Sequence, residues 1–151
     1  DHDGFEIGRA IEYRDGGDVA FITTGILTNR AMAAADELKA EGINVSVLHM
    51  HTVKPLDEGA IMKAARRASL VVVAEEHSRI GGLGSAVTDL LAGSFGAGGP
   101  QILTLGVPDV FTDKYGSQDD LLEIYGLQPQ QLAQSVRDAV SSSSPITAVG
   151  G

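Results

Sequence analysis

Glu75-Glu76-His77 sets two carboxylates beside an imidazole, directly after the wholly apolar run Leu70 to Ala74. A carboxylate next to an imidazole can do general acid-base work, one group holding a proton that the other accepts. A few residues on, Gly81-Gly82-Leu83-Gly84 opens a segment with helical spacing, and glycine amides at a helix start can hold an anion. The same residues also have a structural reading, in which a strand turns polar as it meets water and glycines let the next helix pack tightly. As a dinucleotide fingerprint the turn fails. With Gly82 and Gly84 as the first two glycines of G-x-G-x-x-G, Val87 takes the third place, and the turn follows a late strand instead of the first.

His49 and His51 share a face if their strand runs through both, so with Glu75 or Glu76 they could assemble a metal site. A hydrogen-bonded or solvent-exposed histidine pair is the alternative. In Thr52-Val53-Lys54-Pro55-Leu56-Asp57 the proline fixes an exit from strand to helix, Asp57 is placed to cap that helix, and Lys54 can pair with Asp57 or face a partner or an anion. There is no cysteine and no G-x-S-x-G elbow, so no thiolate nucleophile, zinc-thiolate centre or hydrolase triad is in view.

The elements that must position these residues alternate. Gly8 to Arg14 and Val19 to Thr24 read as two strands reversing at Asp15-Gly16-Gly17, a hairpin. Leu27, Ala31, Ala34, Ala35 and Leu38 recur at helical spacing and end at Gly42. Ile43 to Met50 is the next strand, followed by a helix carrying Ile61, Ala64, Ala65 and Ala68. Leu70 to Ala74 is apolar at every position, as in a strand covered on both faces, and is expected at the centre of the sheet. Ala86, Val87, Leu90 and Leu91 mark a helix that gives way to a glycine-rich loop from Gly93 to Pro100. Ile102 to Leu105 is the last strand, and Asp119 to Tyr125 and Pro129 to Val140 are closing helices, with 141–151 a flexible tail. Strands joined through helices imply a doubly wound α/β layer structure of one domain, whose function gathers at the carboxyl ends of the strands: Thr23 to Gly25, Met50 to Lys54, Glu75 to His77 and Gly106 to Asp109.

Composition narrows the partners. A formal net charge of −9 opposes binding to nucleic acid or an anionic membrane, because both repel the chain before contact. No apolar run approaches the ~20 residues that span a bilayer, the first residues lack the pattern of a signal peptide, and the absence of cysteine fits a reducing compartment. A cytoplasmic location is the expectation. The chain begins without methionine, as a piece of something larger would.

VAFITTGIL, VLHMHTVKPLD, VVVAEEHSRIGGLGSAV, LGVPDVF and LLEIYGL resemble, in order and spacing from about Phe5 to Val140, the carboxy-terminal domain of transketolases. Deoxyxylulose-phosphate synthases and the beta subunits of 2-oxoacid dehydrogenases carry the same domain type. His49-Met50-His51 before KPLD, with Glu76-His77 and Gly82-Leu83-Gly84, is most similar to the split transketolases of bacteria and archaea, whose two halves are separate chains.

The resemblance implies a three-layer α/β/α fold with a mixed five-stranded sheet, mostly parallel, its first strand antiparallel and not necessarily beside the second. It implies that residues 1–140 are the carboxy-terminal domain of a thiamine-diphosphate-dependent transferase that moves a two-carbon ketol unit between sugar phosphates. Thiamine diphosphate and magnesium or calcium then belong to other domains, because the metal-binding G-D-G is missing. Gly16-Gly17-Asp18 is the nearest approach to it. The isolated domain is expected to have no catalytic, cofactor or metal residue of its own. Its partners are the remaining domains or an amino-terminal subunit, in a homodimer. Lys54, Asp57, Glu75, Glu76, His77, Gly81, Gly82 and Gly84 are the candidates for an interface or ligand turn. A regulatory small-molecule or anion-binding module is the alternative.

Overall fold

Short runs of β-branched and apolar residues become strands at Ile11–Arg14 (β1), Val19–Thr23 (β2), Val45–His49 (β3), Leu70–Glu75 (β4) and Gln101–Gly106 (β5). The helices between and after them are Leu27–Lys39 (α1), Glu58–Arg67 (α2), Leu83–Phe95 (α3), Gln118–Ile124 (α4) and Pro129–Gly150 (α5). The computed structural model describes residues 8–51, 53–76, 82–106 and 118–150.

The described strands form one sheet in the order β1-β3-β2-β4-β5. β2 lies parallel to β3 and β4, and β4 parallel to β5, because each of these links runs through a helix that must cross a face of the sheet. β1 pairs antiparallel with β3, Ile11 opposite His49 and Glu12 opposite Leu48. The mixed five-stranded sheet with its first strand antiparallel is therefore the observed fold. The hairpin is not. The Asp15-Gly16-Gly17 turn does reverse the chain, but β3 takes the place between β1 and β2, since β2 is wholly buried and carries a parallel neighbour on each side. β2 also takes the middle position expected of β4, which is interior and buried at all six residues but one place off centre.

Alternation along the strands divides the core in two. Val19, Phe21, Val45, Val47, Leu70, Val72 and Ala74 face the α1 and α5 side, where Leu27, Ala31, Ala34, Ala35 and Leu38 of α1 meet Leu132, Ala133 and Val136 of α5. Ala20, Ile22, Leu48, Val71 and Val73 face Ile61, Ala64 and Ala65 of α2 and Leu83, Val87 and Leu91 of α3 on the other side. Helices thus cover both faces, giving three layers. The small side chains of α1 bring its axis close to the sheet, and the turn at Gly42 closes the helix with a bond from the Gly42 amide to the Lys39 carbonyl. Two boundaries differ from expectation. α3 runs through Gly93 to Phe95 and ends in a 3₁₀ turn at Gly96–Gly98, so only the end of the glycine-rich stretch is irregular. α5 continues past Val140 to Gly150. No helix among the described residues is long and apolar enough to cross a membrane.

Candidate functional site

The carboxyl ends of β2 and β4 lie side by side, and from there α1 leaves toward one face and α3 toward the other. In a doubly wound sheet this is the crevice where ligands bind, because the two helix N-termini converge on it. Here both are occupied from within the domain. Glu75 is 9% exposed, and its Oε2 accepts the Leu83 amide at 2.8 Å while Oε1 accepts the Gly84 amide at 3.3 Å. The Oε1 of Glu76 accepts the Ile26 amide at 3.2 Å, at the start of α1.

Strand alternation explains this division. Glu75 continues the face of Val71 and Val73 and so meets α3, whereas Glu76 continues the face of Val72 and Ala74 and meets α1. Two adjacent acidic residues therefore cannot act as a carboxylate pair. Each neutralises the positive end of a different helix. Gly25 makes room for this: its φ is +56°, and a Cβ there would overlap Glu76 Oε1. The Leu83 and Gly84 amides that the glycine turn offered to an anion are committed to Glu75. Gly82 is the residue just before α3. His77 and Gly81 lie outside the described residues.

The histidines are organised by hydroxyl groups that sequence reasoning missed. His49 Nδ1 is 2.6 Å from Thr28 Oγ1, which is 2.7 Å from the buried Thr23 Oγ1, which is 3.4 Å from the Leu48 carbonyl oxygen. When Thr23 donates to the Leu48 carbonyl, which only accepts, Thr28 donates to Thr23 and His49 Nδ1–H to Thr28; when Thr23 donates to Thr28 instead, both short bonds reverse and Nδ1 accepts. Neutral His49 carries its lone pair on Nε2 in the first arrangement and its proton there in the second. The His51 ring stands edge-on at 4.7 Å and the Tyr13 ring edge-on at 5.9 Å on the other side. Burial, reinforced by the neighbouring His51, holds the His49 pKa below its ordinary value. No group of three or more His, Asp or Glu side chains suited to a metal occurs among the described residues, and Glu75 is committed to the Leu83 and Gly84 amides. Nothing in the sequence marked Thr23 or Thr28 as partners of His49, since they become so only when β2, β3 and α1 are in register.

The proline turn also differs from expectation. Lys54 is exposed, and Asp57 does not pair with it; its Oδ1 accepts the Ala60 amide at 3.1 Å and its Oδ2 the Ala10 amide at 2.7 Å. The helix cap is present as expected, the charged pair is not. Asp18, in the triplet closest to a metal-binding motif, serves a turn instead, its Oδ2 accepting the Asn44 amide at 2.8 Å. An open cleft of ≈ 440 Å³ between α3 and β5 is lined by Glu75, Gly84, Ser85, Thr88, Asp89 and Thr104 among others. Its two carboxylates make it a poor seat for an anion.

A family profile described as transketolase, C-terminal domain, matches residues 8–132. The chain belongs to the transketolase carboxy-terminal domain family. It is 40% identical over 139 residues to a 6-deoxy-6-sulfo-D-fructose transketolase subunit of a Clostridium species, covering 91% of this chain and 42% of that protein. It is 39% identical over 132 residues to the 1-deoxy-D-xylulose-5-phosphate synthase of Syntrophotalea carbinolica, covering 87% of this chain and 20% of that one. Among solved structures, a split-gene transketolase described as an inactive beta4 tetramer superposes with a TM-score of 0.79 at 39% identity, over 91% of this chain and 44% of that chain. The transketolase domain described here spans less than half the length of these relatives. The subunit and tetramer relatives place the family's domain in assemblies with further domains or chains.

Proposed function

We propose that this chain is the assembly domain of a thiamine-diphosphate-dependent transketolase that moves a two-carbon ketol unit between sugar phosphates. The observation that carries this reading is the commitment of Glu75 and Glu76 to the N-termini of α3 and α1. The carboxyl end of the sheet, where a catalytic domain of this layer type exposes its reactive groups, here holds two helices to one strand. Thiamine diphosphate with magnesium or calcium belongs, in this proposal, to the rest of the enzyme. Likeness to a transketolase subunit and a split-gene transketolase supports ketol transfer and a partner that carries the rest of the enzyme, while likeness to a synthase keeps that reaction as the alternative; a homodimeric cytoplasmic assembly is part of the proposal.

Titration calorimetry tests the reading. The chain alone should give no heat with thiamine diphosphate and magnesium, and mixing it with all the remaining domains of the enzyme should yield ketol transfer from a ketose phosphate to an aldose phosphate. Micromolar cofactor binding by the chain alone would remove the assembly reading. Reconstituted activity that condenses pyruvate with an aldose phosphate, without ketol transfer, would move the protein to the synthase branch.

A further inference from the structure

Asp57 uses its two oxygens on two segments far apart in sequence. Oδ1 caps α2 at the Ala60 amide, and Oδ2 holds the Ala10 amide at 2.7 Å, just before β1. Alongside, Pro55 closes against Gly8: a Cβ on Gly8 would come within 2.9 Å of Pro55 Cγ, and the residue itself has φ +81°. Ala10, Val53 and Leu56 pack side by side on the apolar cluster under α2. The turn after β3 therefore grips the approach to β1 by a charge-assisted hydrogen bond, a close backbone contact and shared apolar burial. β1 itself is an edge strand of four residues that pairs with β3 alone, has an irregular register between Glu12 and Arg14, and is tied to α1 through the Arg14–Asp36 ion pair.

We propose that Asp57 is a positioning residue for the assembled enzyme: by pinning Ala10 it sets the direction in which the chain enters β1, and so where this domain sits relative to the polypeptide that precedes it. The inference rests on the assembly-domain reading. A chain unpinned before its first strand can enter the domain from many directions, whereas one held at Ala10 enters from one.

Asp57→Asn separates the two roles. Asparagine and serine cap helices about as well as aspartate, but the asparagine amide has one oxygen and must turn its NH₂ toward the Ala10 N–H, and the serine hydroxyl cannot serve both segments. In the enzyme assembled with its remaining domains, trypsin cleavage at Arg9–Ala10 should become about tenfold faster or more in both variants. The melting temperature should fall by only about 2–8 °C, so that the variants remain folded in the assay, and small-angle scattering should show a wider spread of domain separations. Unchanged cleavage and unchanged scattering in variants that still assemble would overturn the inference alone. A wild-type chain that forms no assembly would remove the assembly reading, and this inference with it. If Asp57→Asn does not fold, Asp57→Ser provides the same comparison.

Discussion

At the residue scale, the two glutamates show how little a residue type says about its task until its face is known. Glu75 is buried with both oxygens on backbone amides, so Glu75→Ala should strand the Leu83 and Gly84 donors and lower stability by roughly 1–3 kcal/mol in urea denaturation. Glu75→Gln, which keeps one acceptor oxygen, should recover part of that loss. His49 gives the domain an acid sensitivity of known sign. Its folded pKa lies below the ordinary 6.5 through burial and then through His51, so the unfolded chain binds more protons between the two values. Stability should be complete above pH 6.5 and fall as pH drops toward the folded pKa. Nuclear magnetic resonance titration of the imidazole should find His49 with a midpoint below 6.5, and His49→Gln should flatten the melting temperature over that range. The position of these groups at the strand ends was legible from the alternation of strands and helices. The partners of Glu75, Glu76 and His49 were not, because they depend on where α1 and α3 begin in space.

At the element scale, β1 is the part whose placement sequence reasoning missed. The Asp15-Gly16-Gly17 turn encodes a reversal of direction, but a turn does not encode which strand lies alongside afterwards. That is decided by burial: β2 is buried at every position and needs covered neighbours, whereas β1 is half exposed and suits an edge. The chain then has to cross the start of β3, and a Cβ on Gly16 would stand 2.6 Å from the backbone nitrogen of Val45. Gly16→Ala should push β1 and β3 apart and cost roughly 1–3 kcal/mol by thermal denaturation, the range of overpacked sites. On the opposite side α5 is tied to α1 by Arg137, whose guanidinium lies 2.6 Å from Glu37 and 2.5 Å from Glu41. These partners were out of reach of sequence periodicity, which reports faces of helices but not which helices touch.

At the scale of the whole molecule, periodicity was enough for the layer architecture and the ordered motifs for the family, because both are properties of the chain as a string. The division of work among domains is not such a property. The proposed division rests on the commitment of the crevice carboxylates to helices and on the span of the chain against its relatives.

The strand order carries one more consequence, for how the chain acquires its fold. Because β3 lies between β1 and β2, no two of the described strands are joined by a tight turn and paired with each other, so none of them forms a hairpin that could zip up early. β2 stays open along one edge until Leu70–Glu75 has been made and docked, so the chain through Glu75 must leave the ribosome before this wholly buried strand is enclosed. The apolar stretch VAFIT is for that interval a segment in need of protection, and α1, which follows it directly and covers Val19 and Phe21, is the first of its neighbours made after it that can shield it.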